Sequence, residues 1–348
     1  MTTLSTMPVF TPSELLERRP NSLKVRVRSI TYEGDDINAY EVVPFDGEQL
    51  PKFDPGAHVD LYFRDGRVRQ YSLCNDPRER NRYVFAVQRD LKGRGGSKAI
   101  FEKIHVGRTL VISEPRNNFP IVSDAKRYIF IAGGIGITPI VAMVKFLVRS
   151  GADFELHYCT RTSERTAFRD ELASLGGPER VKFYHDGGHP EKGANLTEIL
   201  REHEPATHLY LCGPAGFLKA ARHAASHWPQ ENVHYESFSP PLGDLYSSAF
   251  NSDEASNDCA IPVGFEVKVA STGESWSVPP DKTILEVLRA HGHEVPSSCE
   301  TGLCGTCKVR FLEGEPDHRD YILNDEEKRD NLLVCCSRSK SSVLVLDI

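Results

Sequence analysis

Three successive patterns along the sequence predict a multidomain chain in which an all-β part is followed by an α/β part and then an α+β part. Up to about residue 118, short runs alternate apolar and polar residues. From 119 to 238, continuous apolar runs alternate with helix-like stretches. Beyond 263, a strand pair and a short helix lead into a tight cluster of cysteines. Each pattern needs a core of its own, and 348 residues suffice for two or three.

In the first part Leu23, Val25 and Val27 alternate with Lys24, Arg26 and Arg28, as a strand with one buried face requires. Similar runs follow at 39–44, 58–63, 68–73, 83–89 and 109–114, separated by turn formers such as Phe45-Asp46-Gly47 and Arg64-Asp65-Gly66. Six short strands at this spacing predict a small antiparallel β-barrel over residues 1–118. Arg69-Gln70-Tyr71-Ser72-Leu73 puts a cation, an aromatic ring and a hydroxyl on one strand end. A flavin needs those groups for its phosphate, its ring face and its reactive nitrogen, although an ordinary exposed strand can read the same way. Gly93-Arg94-Gly95-Gly96-Ser97 runs directly into a helix with apolar Ile100, Phe101 and Ile104. Glycines before a helix N-terminus form a phosphate site, to which Arg94 and Ser97 add a charge and a hydroxyl. The plainer alternative is a flexible loop capped by Ser97.

In the second part the apolar run 128–132 has the character of a buried parallel strand. It enters Gly133-Gly134-Ile135-Gly136-Ile137-Thr138-Pro139 and then a helix-like stretch, 140–147. Thr138 is the expected N-cap and Pro139 the expected first helical residue. Gly134 and Gly136 allow a pyrophosphate to approach the backbone and the helix dipole, although the spacing is not G-x-G-x-x-G. Further strands are expected at 154–160, 181–185, 208–212 and 233–238, with helices at 164–175, 196–202 and 214–227. The alternation predicts a doubly wound parallel sheet over 119–238, with ligand at the carboxyl ends of its strands. Cys212-Gly213-Pro214 and Glu236-Ser237-Phe238 lie at two such ends. Asp186, after the third strand, can accept a hydrogen bond from a ribose 2′-hydroxyl and would repel a 2′-phosphate, which favours NADH over NADPH. Arg161 argues the other way. Residues 239–262 lose periodicity and are expected to be a linker.

The third part, 263–348, holds Cys299-Glu-Thr-Gly-Leu-Cys304-Gly-Thr-Cys307, followed by Cys335-Cys336. C-x4-C-x2-C with a distant fourth cysteine is the plant-type [2Fe–2S] spacing, unlike the paired C-x2-C hooks of a zinc ribbon. Gly302 and Gly305 let the loop fold back and aim N–H groups at the sulfurs. Phe265, Val267 and Val269 alternate with polar neighbours, 276–278 is the expected partner strand, and 283–290 is a short amphipathic helix. Strands are also expected at 308–311, 332–337 and 343–346. Between them, residues 313–330 hold eight acidic residues against Arg319, Lys328 and Arg329. That charge balance makes this stretch a candidate docking face for a basic partner.

Taken together, 69–73, Val87-Gln88-Arg89-Asp90, 93–97, Glu114-Pro115 and the G-G-x-G-x-T-P turn resemble the ferredoxin–NADP reductase superfamily. More closely they resemble the phthalate dioxygenase reductase group, whose C-terminal part is a β-grasp, plant-type ferredoxin domain. The resemblance covers nearly the whole chain. It implies an NADH-dependent oxidoreductase that passes electrons from NADH to FMN, to a [2Fe–2S] cluster and on to a Rieske-type oxygenase of an aromatic dioxygenase or O-demethylase system. It implies that Arg69, Tyr71, Ser72, Leu73, Gly95, Gly96, Ser97 and Phe238 surround the flavin. Gly134, Gly136, Thr138, Asp186, Cys212, Gly213 and Pro214 would hold the nicotinamide cofactor, with Ser72, Cys212 and Glu236 at the reacting centre. Cys299, Cys304 and Cys307 would ligate iron. Spacing alone does not choose between Cys335 and Cys336; the family's closing motif, C-V-S-R or C-C-S-R, makes Cys335 the fourth ligand.

No basic tract interleaved with aromatics speaks for nucleic acid, and net charge is −7. No apolar run is long enough for a membrane span, and the N-terminus lacks a signal pattern. Nine cysteines, an odd number, are expected to be thiols in a reducing cytoplasm. Two alternatives use the same cofactors: an NADH-responsive redox sensor, and a reductase for a different one-electron acceptor. A zinc-stabilised binding module is a third.

Overall fold

The computed structural model describes residues 9–19, 21–91, 95–238, 264–280, 282–297, 300, 302, 305–320, 322–324 and 326–348. It divides into two compact units, with the break after Phe238. The expected linker 239–262 lies outside the described residues.

The first unit begins with a helix that the strand pattern did not announce, α1 (Pro12–Arg18). Its signal was nevertheless present: Thr11 and Glu14 form a capping box and Pro12 opens the helix. Strands β1 (Ser22–Gly34), β2 (Ile37–Pro44), β3 (His58–Tyr62), β4 (Val68–Ser72) and β5 (Tyr83–Gln88) follow. Helix α2 (Gly96–Lys103) and strand β6 (Thr109–Ser113) complete this part. They form one antiparallel sheet in the order β4-β3-β6-β1-β2-β5. The end strands meet where Leu73 pairs with Phe85, and Cys74 N–H donates to Val84 O at 2.7 Å, so the sheet curls into the expected barrel. Val25, Val27, Val59, Leu61, Leu73 and Phe85 fill its interior.

A parallel sheet completes the unit. Its elements are β7 (Arg127–Gly133), α3 (Ile137–Ser150), β8 (Asp153–Thr160), α4 (Arg169–Arg180), β9 (Val181–His185), α5 (Leu196–Ile199), β10 (Thr207–Cys212), α6 (Ala215–Ala224) and β11 (Val233–Glu236). The order β11-β10-β7-β8-β9 starts in the middle and winds outward both ways. A crevice therefore opens between the carboxyl ends of β7 and β10, the topological switch point where such sheets take ligands.

Several boundaries differ from expectation. Gly136, not Thr138, precedes α3, because Gly134–Gly136 forms a 3-10 turn that flows into the helix. Thr138 instead donates its hydroxyl to Ile135 O at 3.0 Å, and Pro139 sits at the third helical position. Helix α4 starts at Arg169 rather than 164, since Ser163–Arg165 is a 3-10 turn and Phe168 adopts φ 57°, outside the right-handed helical region. Strand β11 ends at Glu236, two residues early.

The second unit comprises β12 (Phe265–Val269), β13 (Ser275–Val278), α7 (Ile284–Ala290), β14 (Lys308–Glu313), β15 (Pro316–Asp317), β16 (Asn331–Leu333), β17 (Arg338–Ser339) and β18 (Val343–Leu346). Its main sheet, β13-β12-β18-β14-β16, is mixed, with β12 and β18 parallel at its heart. Ile284, Leu285, Val287 and Leu288 of α7 pack on Val267, Val269, Leu332 and Leu344. Thr283 and Glu286 form the capping box that starts this helix. Cys335 and Cys336 do not continue a strand to 337. Strand β16 stops at Leu333 and the two cysteines lie in the turn that follows, where Cys336 N–H and Ser337 N–H both donate to Leu333 O.

Candidate functional site

Strand β4 carries the first set of candidates, and pairing with β3 fixes their alternation: Leu61 opposite Arg69, Val59 opposite Tyr71, His58 opposite Ser72. Tyr71 stacks on Phe85 with ring centroids 5.4 Å apart, and burial pushes its hydroxyl pKa up. Ser72 is 5% exposed. Arg69 lies across the first turn of α2, so that a Cβ on Gly96 would come within 2.6 Å of its Nε. Gly95, at φ 77°, is the left-handed residue that turns the chain into α2, and Arg67 Nη1 stands 3.4 Å from where its Cβ would be. Two guanidinium groups therefore flank the amino end of an eight-residue helix, a setting suited to a phosphate. Arg67 was not singled out from sequence, although period two places it on the same side of the chain as Arg69. Ser97 does not cap α2 and accepts a hydrogen bond from Asp90 N–H at 3.0 Å, fastening the loop that precedes the helix. Residues 92–94 of that loop, including Gly93 and Arg94, lie outside the described residues.

The end of β4 is anchored to the parallel sheet. Two residues beyond Ser72, Cys74 O accepts from Lys145 Nζ of α3 at 2.9 Å. Gly56, at φ 93°, passes so close to Phe119 O that a Cβ would stand 2.0 Å away. The strand with the flavin candidates is thus held against the helix that follows the glycine turn.

At the switch point the glycines do distinct work. A Cβ on Gly136 would collide with Cys212 O at 2.4 Å, and Cβ atoms on Gly133 and Gly213 would strike the Phe217 ring at 2.9 and 2.8 Å. Their absence lets the ends of β7 and β10 touch. Gly134, at φ 54°, has open space where its Cβ would be, as backbone approached by a ligand requires. Pro214 caps α6. Thr138 is buried and its hydroxyl supports the turn.

Cys212 and Glu236 are register partners on β10 and β11. Burial, and then the neighbouring Glu236, holds the Cys212 thiol pKa well above its usual value. Glu236 Oε2 is buried without a hydrogen-bond partner, and burial raises that carboxyl from 4.5 to about 8. An orphaned polar atom of this kind fits a site that a cofactor completes. Phe238, two residues on, is 42% exposed. At the opposite edge, Asp186 follows β9; its Oδ1 accepts from Gly188 N–H at 2.7 Å and its own N–H donates to Thr160 O.

In the second unit the thiols of Cys307 and Cys335, 2% and 3% exposed, lie together, and Gly302 N–H and the Cys336 thiol also face Cys335. Cys336 also lies near: a Cβ on Gly302 would stand 2.7 Å from its Sγ. Convergent buried thiols within a glycine-bearing loop fit the donor chemistry of an iron–sulfur cluster. Cys299 and Cys304 lie outside the described residues. Arg289 of α7 steadies this loop through Glu300, at 2.7 Å, and Ser297.

A barrel with two guanidinium groups beside the amino end of α2, a parallel sheet open at its switch point and a thiol-lined ferredoxin unit define an electron-transfer oxidoreductase. Comparison with known proteins supports this class. The oxidoreductase NAD-binding domain model matches residues 130–223, and the 2Fe-2S iron-sulfur cluster binding domain model matches residues 267–340. The chain is 53% identical over 329 residues to the tert-butanol monooxygenase / tert-amyl alcohol desaturase reductase subunit of Aquincola tertiaricarbonis, covering 94% of this chain and 96% of that one. It is 42% identical over 327 residues to the phthalate dioxygenase reductase of Burkholderia cepacia, covering 94% and 97%. A solved phthalate dioxygenase reductase, described as a modular structure for electron transfer from pyridine nucleotides to [2Fe-2S], superposes with a TM-score of 0.75. It is 40% identical and covers 97% of this chain and all of that one. The chain belongs to the phthalate dioxygenase reductase family, and its cofactors are FMN, NADH and a [2Fe–2S] cluster.

Proposed function

We propose that this protein is the reductase of a two-component oxygenase system, drawing electrons from NADH and delivering them to a Rieske-type non-haem-iron oxygenase. The observation that carries the reading is the union, on one chain, of the Cys212–Glu236 pair at the switch point of a parallel sheet with a group of buried thiols in a glycine-bearing loop. Bound flavin supplies the conversion between the two, since it takes an electron pair and yields single electrons. Arg69, Gly95, Gly96 and the amino end of α2 hold its phosphate, Tyr71 and Phe238 face its ring, and Ser72, Leu73 and Ser97 shape its edge. Gly134, Gly136, Thr138, Gly213 and Pro214 form the pyrophosphate and nicotinamide crevice, with Cys212 and Glu236 beside the reacting carbon. Asp186 selects NADH. Cys299, Cys304, Cys307 and Cys335 hold the cluster.

On this reading residues 1–118 are the flavin domain, 119–238 the NAD domain and 263–348 the ferredoxin domain. The family's phthalate dioxygenase and vanillate O-demethylase reductases favour an aromatic substrate for the partner as one reading. The 53% identity to a tert-butanol monooxygenase reductase favours a tertiary aliphatic alcohol as the second. Among the described residues no helix is long and apolar enough to cross a membrane, and a cytoplasmic setting suits six free cysteines there.

The test is a visible spectrum of the purified protein before and after anaerobic NADH. Flavin and iron–sulfur bands that bleach together, with rapid NADH-driven reduction of cytochrome c, are expected. A colourless protein sinks the reading, and bleaching without turnover favours a redox sensor.

A further inference from the structure

The turn between β1 and β2 lies far in sequence from either cofactor site, yet it touches the machinery of both. On the parallel-sheet side it grips the loop that leaves the carboxyl end of β8. Asp35 N–H donates to Glu164 O at 2.8 Å, and Phe168 N–H donates to Glu33 Oε2 at 3.1 Å. Arg165 Nη2 reaches Asp36 Oδ2 at 3.0 Å. Gly34 lies so close to this loop that a Cβ would stand 2.6 Å from Glu164 O. On the barrel side, Asp36 Oδ1 accepts from Arg89 Nε at 3.0 Å and Nη2 at 2.5 Å, and Asp36 O accepts from Arg89 N–H at 2.7 Å. Asp36 itself adopts φ 62°, a left-handed conformation that a residue other than glycine holds only when its surroundings favour it.

Each guanidinium leads to a cofactor site. Arg89 lies over the Phe101 ring of α2, 5.4 Å from its centroid, and precedes Asp90, whose N–H is fastened to Ser97. The loop at 161–168 is tied to the other site. Thr160 Oγ1 meets Thr166 Oγ1 at 2.8 Å and His185 Nδ1 at 2.9 Å, and Gly187 N–H donates to Arg161 O at 2.8 Å. These bonds fix the turn that presents Asp186. One carboxylate therefore faces the helix proposed for the flavin phosphate through Arg89 and the loop beside the proposed ribose site through Arg165.

We propose that Asp36 is a positioning residue for hydride transfer: with one oxygen on Arg89 and the other on Arg165, it holds the adenosine side of the dinucleotide crevice in register with the flavin site. This rests on the NADH reductase reading above. Breaking the Arg165 arm leaves the flavin helix intact but loosens the loop, so dinucleotide binding and its alignment with the flavin suffer while flavin content does not.

The experiment uses the full-length holoprotein with Asp36→Asn, Arg165→Ala, Arg165→Lys and the double variant Asp36→Asn/Arg165→Ala. Readouts are FMN per chain, Tm, KM for NADH, the rate of flavin reduction in rapid mixing, and the Kd for NAD+ by calorimetry. We expect unchanged FMN content in Arg165→Ala and Arg165→Lys, which leave the Asp36–Arg89 pair in place. KM and Kd should rise roughly three- to tenfold in Asp36→Asn and Arg165→Ala, with the double variant no worse than the worse single one and Arg165→Lys close to wild type. Unchanged KM, Kd and flavin-reduction rate in both single variants overturn the proposal, and so does a lowered Tm with unchanged KM and Kd. Absence of NADH turnover in the wild type would refute the reductase reading alone, because the Kd for NAD+ still reports on the clamp.

Discussion

Glu236, half-buried as a residue, stands beside Cys212 in the register of β10 and β11 with its Oε2 buried and unpartnered. A carboxyl so placed keeps its proton at neutral pH, and the value of about 8 against an ordinary 4.5 fixes the direction of the pH effect. Between those values the unfolded chain releases a proton that the folded chain retains. Relative stability is therefore full below about pH 4.5, declines through the window and is lost as pH passes 8. Glu236→Gln should gain stability over wild type as pH rises from 5 to 8, by up to about 4 kcal/mol, read as a Tm difference that widens with pH. Flavin reduction by NADH should show an inflection near pH 8 in wild type that the variant lacks. A pH-independent difference in Tm would contradict the placement of this carboxyl.

Arg69 and Gly96 are expected to set flavin affinity. Arg69→Ala removes a charge-assisted contact of about 1.5–3 kcal/mol, so FMN should bind at least about tenfold more weakly. Gly96→Val drives a side chain into the Arg69 guanidinium and should have the same sign. Absorbance at the flavin maximum per chain measures both, and full occupancy in both variants would reject the site.

Wild type should use NADH in strong preference to NADPH, and Asp186→Ser should narrow that preference by relieving repulsion of the 2′-phosphate. The ratio of kcat/KM for the two nucleotides is the measurement. Equal use by wild type, or a ratio unmoved by the substitution, would show that another residue decides.

The adjacent cysteines differ in burial: Cys335 is 3% exposed and faces both Cys307 and Cys336, whereas Cys336 is half-buried with its Sγ 3.7 Å from Leu333 O. Cys335→Ala should lose the cluster and cytochrome c reduction while NADH still bleaches the flavin. Cys336→Val should keep both, and the reverse pattern would reassign the ligand.

Transfer to the oxygenase should slow as salt rises if the acidic stretch 313–330 steers docking. Several of its charges are paired, Glu327 with Lys308 at 3.1 Å and Asp317 with Arg319 at 2.7 Å, so a modest slope is expected. Intercomponent rates flat from low to high salt would remove this role.

Much of the architecture was legible because its causes are local. Alternation at 23–28 follows from a strand having one buried face. The turn at 133–136 needs glycines within a few residues of each other, and the spacing of Cys299, Cys304 and Cys307 is itself the cluster motif. Even the missed helix α1 carried its capping box in Thr11 and Glu14. Only tertiary structure decided the rest. Whether Thr138 caps α3 or bonds back to Ile135 depends on where the preceding turn enters the helix. Glu236 owes its raised pKa to burial, and burial is a property of everything packed around a residue rather than of its neighbours in the chain. Asp36 and Arg165 meet across 129 positions because two sheets dock, and no period or spacing in the sequence encodes which charges a docking brings together.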